Sequence, residues 1–181
     1  MPRFELSESA HLRPLDDEDA GELYDLIAAN RSYLAQWMPW APDQTYDGTL
    51  SFIRETKRKA DAGEGLELGL IDGGSIAGMA GLHVAEPDNH GARVGYWLAE
   101  DRQGRGLVTR AVSALLSHAF EEWRFNRVEL RAAPDNVRSR AVAERLGFVE
   151  EGLLRGAERI AGGYRDLVLY AMLAANWSGR S

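Results

Sequence analysis

A strand, a glycine-rich turn and a helix follow one another between Arg93 and Ala119, and that order leaves few folds open. Arg93 to Leu98 reads as a strand, Ala99-Glu100-Asp101-Arg102-Gln103-Gly104-Arg105-Gly106 as the turn, and Val108, Ala111, Val112, Leu115 and Ala119 lie on one helical stripe. In such a turn, backbone N–H groups freed from side-chain crowding converge on one point, where the helix dipole favours an anion. Arg102 and Arg105 add positive charge, so the turn reads as a seat for a phosphate-bearing ligand, the plainer alternative being an ordinary helix entry. A P-loop would need Gly-Lys-Ser/Thr, yet Gly106 is followed by Leu107 and Val108. A dinucleotide fingerprint wants a third glycine where Thr109 stands, and wants it on the first strand of its unit.

Hydrophobic periodicity sets out the surroundings of the turn. Asp16 to Asn30 predicts a helix behind the acidic run Asp16, Asp17, Glu18 and Asp19, which suits a helix N-terminus, and a second helix is expected from Gly48 to Ala60. Leu66 to Leu70 alternates, Asp72-Gly73-Gly74 offers a tight turn, and Ile76 to Val84 follows as the partner strand of a hairpin. Arg127 to Ala132 alternates strictly as a half-buried strand. Asn136 then opens a short helix that Gly147 closes. Phe148–Leu154 and Leu167–Leu173 flank a turn at Gly162-Gly163, the second run being apolar on both faces and so expected to be buried. With no repeat and no linker-like stretch, the expectation is a single α+β domain over 1–181, with helices around a mixed, largely antiparallel central sheet.

Composition removes whole classes of function. The chain of 181 residues has no cysteine, which excludes disulfide scaffolds, thiolate metal sites and cysteine nucleophiles. With 28 acidic against 21 basic residues the formal charge is −7, which argues against nucleic acid as a partner. No apolar run reaches the length of a membrane span, and Met1-Pro2-Arg3-Phe4-Glu5 lacks the apolar centre of a secretory signal, so a cytoplasmic protein without a membrane partner is expected. His11, His83, His90 and His118 show no metal-ligand spacing, and no metal is expected. Tyr33, Trp37, Met38 and Trp40 form an aromatic cluster interrupted by Pro39 and Pro42; such a loop suits either the wall of an acceptor channel or core packing.

Gly95-Tyr96-Trp97-Leu98, the Gln103-Gly104-Arg105-Gly106 turn, Asn126-Arg127-Val128-Glu129-Leu130, Asn136 with Ser139, and Leu146-Gly147-Phe148 together resemble, in order and spacing, the GNAT superfamily of acetyl-CoA-dependent N-acetyltransferases. Asn30-Arg31 through Trp37-Met38-Pro39-Trp40 and Glu151-Gly152-Leu153-Leu154-Arg155 are similar to its RimJ/RimL branch, which acetylates protein N-termini. The resemblance covers nearly the whole chain. It implies acetyl-CoA as co-substrate, with its pyrophosphate on the amides of Gln103, Gly104, Arg105, Gly106, Leu107 and Thr109 and its pantetheine arm on the strand edge near Leu98. A backbone N–H at that edge would also stabilise the tetrahedral oxyanion. Asn136 would contact the cofactor arm or cap its helix, and Thr109 has helix packing as its alternative.

By the same resemblance, Glu158 falls where a carboxylate takes the amine proton and Ser139 where a hydroxyl protonates the leaving thiolate. Trp37, Met38 and Trp40 would line the acceptor channel. The implied reaction is direct transfer in a ternary complex, to a protein or peptide N-terminus or else to a small amine such as a polyamine, an amino acid or an aminoglycoside. From another class, a CoA-binding sensor without turnover stands as the rival. A homodimer is left open by the strand-rich C-terminus and Trp177, expected as an exposed aromatic.

Overall fold

The computed structural model describes residues 2–179. The chain opens with strands β1 (Phe4–Glu5) and β2 (Ala10–Arg13), followed by helices α1 (Ala20–Ala29), α2 (Arg31–Leu34) and α3 (Tyr46–Asp61). A hairpin of β3 (Gly65–Asp72) and β4 (Ser75–Glu86) leads to β5 (Gly91–Leu98), α4 (Leu107–Ser117), β6 (Arg127–Ala132) and α5 (Val137–Leu146). A second hairpin, β7 (Val149–Ile160) and β8 (Gly163–Leu173), follows. Among the described residues these eight strands form one sheet in the order β1-β2-β3-β4-β5-β6-β8-β7, antiparallel throughout except for β5 and β6. This is the α+β, largely antiparallel architecture expected.

The strands β1 and β2 are additions to what the sequence pattern shows. At two and four residues they are too short to show an alternation, and what holds them is pairing with a neighbour: His11 stands opposite Ile71 and Phe4 opposite Leu12. The helix expected from Asp16 starts with a 3-10 turn. Asp16 and Asp19 form a reciprocal capping box there, and the α-helix proper begins at Ala20.

Strand alternation divides the core in two. Leu66, Leu68 and Leu70 of β3 point to the face covered by α4, where they meet Val112, Leu115 and Leu116, all essentially inaccessible to water. Ile71, Ile76 and Met79 serve the other face, against Leu23 and Ile27 of α1, Leu34 of α2 and Ile53 of α3. Burying each such side chain contributes roughly 1.5–3 kcal/mol. Trp177 is not the exposed aromatic anticipated: it packs on Phe120 with ring centroids 6.3 Å apart, and its indole N–H donates to Ser117 Oγ at 3.3 Å. Among the described residues no helix is long and apolar enough to cross a membrane.

One irregularity of the sheet creates space. β5 and β6 pair only from Gly91–Arg93 to Arg127–Glu129, although β5 runs on to Leu98 and β6 to Ala132. Past Arg93 the two strands part, while each stays paired on its other side, β5 with β4 and β6 with β8. The Val94–Leu98 edge is thereby left without a strand partner, and the wedge between the strands opens the sheet from one face to the other.

Candidate active site

A cavity of about 1550 Å³ occupies this wedge and reaches both faces of the sheet. At one end lies the glycine turn. Gly104 and Gly106 have φ of +77° and +71°, a left-handed conformation costly for other residues, which is why the turn needs glycine at both. The first helical bond of α4 runs from the Arg110 N–H to the Gly106 carbonyl, and among the described residues none of the amides from Gly104 to Thr109 donates to a backbone carbonyl. Gly104 and Gly106 to Thr109 line the cavity, so their amides and a helix N-terminus lie at one end of it, a chemistry suited to a pyrophosphate.

The charge around this turn differs from what the sequence suggests. Arg105 does not line the cavity; its guanidinium binds Asp72 at 2.6 Å, and Arg102 binds the same carboxylate at 3.2 Å. Asp72, only 5% exposed, is a staple between the β3–β4 turn and the glycine turn. Long arginine side chains follow the nearest buried carboxylate, and the local sequence does not reveal that it comes from about thirty residues upstream. From the helices around the turn, the cations that line the cavity are instead Arg110 of α4 and Arg138 and Arg145 of α5. Arg110 Nε is buried without a hydrogen-bond partner, with Nη1 3.0 Å from where a Gly106 Cβ would be. Arg145 donates to Thr109 Oγ1 at 2.9 Å. Gln103 donates to the Tyr33 hydroxyl at 2.5 Å and accepts from Arg138, bridging α2 and α5.

In the middle of the wedge, Asn136 caps α5 by accepting from the Ser139 N–H at 3.1 Å. The cap brings Ser139 to the cavity wall, where its Oγ lies 2.9 Å from the hydroxyl of Tyr96 on β5. Tyr96 was not singled out from the sequence as a site residue. Desolvation pushes its phenol up to about 12, against a smaller lowering by Ser139, so the hydroxyl stays protonated at neutral pH. Leu98, Gln103, Gly104, Gly106, Leu107, Thr109, Asn136 and Ser139 all line this one cavity.

The far end is walled by Trp37, Met38 and Trp40, with Phe52 of α3 and Trp97 of β5. Their loop is irregular, and two guanidinium groups satisfy its carbonyls. Arg31 donates to Ala41, Pro42 and Gln44; Arg165 of β8 donates to Gln36 at 2.7 Å and to Trp37 at 2.6 Å. Trp40 meets Trp97 edge-on at 6.2 Å. Arg165 also holds Glu158, its Nε lying 2.5 Å from Glu158 Oε2, and Glu158 lines the cavity in turn. No sequence signal pointed to Arg165, since the carbonyls it serves are about 130 residues away. Among the described residues no group of three or more His, Asp or Glu is placed to hold a metal ion.

Comparison with known proteins agrees with this geometry. Residues 10–149 match the acetyltransferase (GNAT) domain, and the chain belongs to that family of acetyl-CoA-dependent N-acetyltransferases. It is 38% identical over 178 residues to YdaF of Bacillus subtilis (strain 168), a putative ribosomal N-acetyltransferase, covering 96% of each chain. It is 30% identical over 171 residues to the ribosomal-protein-serine acetyltransferase of Escherichia coli (strain K12), covering 94% of this chain and 96% of that protein. Among solved structures, the ribosomal L7/L12 α-N-protein acetyltransferase RimL in complex with coenzyme A superposes with a TM-score of 0.90 at 27% identity, over 95% of this chain and 98% of that one.

Proposed function

We propose that this acetyltransferase moves the acetyl group of acetyl-CoA to the N-terminal α-amine of a protein, by direct attack in a ternary complex. The observation that carries the reading is the joining, in one cavity, of the free amides of the glycine turn, an unpaired strand edge, a hydroxyl pair and a carboxylate beside an aromatic channel. Relatives named for ribosomal-protein acceptors support a protein amine over a small one, and an acceptor of that kind supports a cytoplasmic location.

The amides of residues 104–109 and the guanidinium groups of Arg110, Arg138 and Arg145 receive the pyrophosphate. The Val94–Leu98 edge takes the pantetheine arm, and an N–H of that edge receives the oxyanion as the amine attacks. Tyr96 donates into Ser139 Oγ, which frees the serine O–H to protonate the leaving thiolate. Trp37, Met38 and Trp40 guide the acceptor. Glu158 is fixed at one oxygen by Arg165; its charge attracts the incoming ammonium and holds it while a proton is lost. An α-amine, with an ordinary pKa of about 7.7–8.0, gives up that proton more readily than a lysine amine near 10.4.

Calorimetry with acetyl-CoA, with NADH and ATP as controls, followed by mass spectrometry of peptides with free or blocked N-termini, tests this. Selective acetyl-CoA binding and acetylation only of free N-termini are expected. Heat from a nucleotide but none from acetyl-CoA overturns the reading of the turn; acetylation of polyamines but not peptides overturns the acceptor. Glu158→Gln is expected to raise the acceptor KM and lower kcat with acetyl-CoA affinity unchanged.

A further inference from the structure

The acceptor side of the cavity holds a second carboxylate, which the scheme above does not use. Glu67 of β3 and His83 of β4 are joined by a 2.7 Å contact between Glu67 Oε1 and His83 Nε2, and both line the cavity with Arg93, Gly95 and Trp97. In the sheet Glu67 stands opposite Gly81, Gly81 opposite Gly95, and His83 opposite Arg93. Two glycines make room for the pair. A Cβ at Gly81 would lie 2.4 Å from Glu67 Cδ and 2.4 Å from the Leu66 carbonyl oxygen, so Glu67 reaches across β4 only because nothing projects there. A Cβ at Gly95 would lie 3.6 Å from His83 Nε2. The Nε2 edge of the imidazole thus overlies Gly95 on β5 just past Arg93, where β5 leaves β6, on the sheet face opposite the one that carries the Tyr96 side chain.

We propose that the Glu67–His83 pair takes the proton of the attacking amine, His83 as the catalytic base and Glu67 as the residue that positions it; this rests on the acetyltransferase reading above. Glu67 accepts the Nε2–H and leaves the lone pair on Nδ1. The amine nitrogen bonds to the thioester carbonyl carbon and the C–S bond breaks. The nitrogen's surplus proton goes to His83 Nδ1, directly or through one water, and the thiolate sulfur receives the Ser139 proton, which water restores to Ser139. The imidazolium is stabilised by Glu67 and returns its proton to solvent, which it reaches because the His83 side chain is 52% exposed against 15% for Glu67. Glu158, already bound to Arg165, holds the ammonium until it has lost one proton to water and become the neutral amine that attacks.

The charged groups facing His83 are Glu67 from β3, Lys59 from α3 and Arg93 from β5. The bond to Glu67 outweighs burial and the two cations, and it raises the imidazole above its ordinary value, towards the range where a base serves an α-amine near neutral pH.

The test is kcat at saturating acetyl-CoA and peptide, from about pH 5 to about pH 9. Wild type should lose rate towards acid as His83 protonates. His83→Gln should lower kcat about 10- to 100-fold and flatten that limb. Glu67→Gln should move the limb to lower pH with a smaller loss, because the charge that raises His83 is gone. His83→Ala should regain rate when imidazole is added, which a purely structural role would not permit. Acetyl-CoA affinity and melting temperature are measured for each variant and should stay near wild type. A His83→Gln enzyme with wild-type kcat and an unchanged limb, or His83 variants slowed without change of limb or rescue, overturns the pair and leaves the transferase reading standing. A wild-type protein that binds acetyl-CoA and acetylates no peptide or amine overturns both.

Discussion

At the turn end of the cavity the donors are amides between Gly104 and Thr109, on one stretch of chain, whereas at the aromatic end the groups come from the loop after α2 and from α3, β3, β4, β5, β7 and β8. The first end works through backbone geometry, so its requirements are conformational: two residues at positive φ and a helix start. The second works through the tips of long side chains, whose places depend on partners far away in sequence, as with Arg165 holding Glu158 and the Trp37 carbonyl. Cofactor binding should therefore be vulnerable to substitutions that change backbone conformation, and acceptor use to substitutions that remove one side-chain group.

The largest effect should come from the turn. Gly106→Val forces a β-branched residue to φ +71° and into Arg110, and on the order of 3 kcal/mol of strain corresponds to about 100-fold weaker acetyl-CoA binding by calorimetry. If binding were unchanged, the backbone account of this end would fail. Ser139→Ala sits between the two ends. It should lower kcat about 10- to 100-fold with acetyl-CoA affinity intact, water replacing part of the proton donation. At the aromatic end, Trp40→Ala should raise the acceptor KM about tenfold and leave acetyl-CoA binding alone, which steady-state kinetics with a peptide series would measure. A parallel loss of cofactor affinity would show that the two ends are not separable.

The smallest effect lies outside the cavity. Asp19 is held below the usual carboxylate range chiefly by its bond to Arg13, opposed by burial. Its contribution is fully present above the unfolded pKa of about 3.9 and is lost as pH falls through the lowered folded value. Asp19→Asn should cost about 1 kcal/mol near neutrality, after allowing for solvent around Arg13, and should weaken the acid dependence of melting between about pH 5 and about pH 2. Cofactor and acceptor kinetics should not change.

Much of the fold is written in local pattern. The alternation of Arg127 to Ala132 and the glycine-punctuated hairpin at Asp72-Gly73-Gly74 name a buried face and a turn, and those strands form as read. The strands β1 and β2 escape because two and four residues carry no period, and what forms them is pairing, β2 with β3 and β1 with β2. At the site, the turn and the Asn136 cap are local and legible. The destinations of Arg102 and Arg105 are not, because a guanidinium at the end of a flexible stem goes to whichever carboxylate the fold buries nearby, here Asp72.

The sequence alone determined where strands, helices and the left-handed turn fall, since these depend on backbone preference and on which side of each element is apolar. Only the tertiary structure decided that β5 and β6 part after Arg93, that Tyr96 meets Ser139, and that Glu67 crosses Gly81 to reach His83. Those meetings depend on strand register and on side-chain reach across several strands, and periodicity along one strand contains neither quantity.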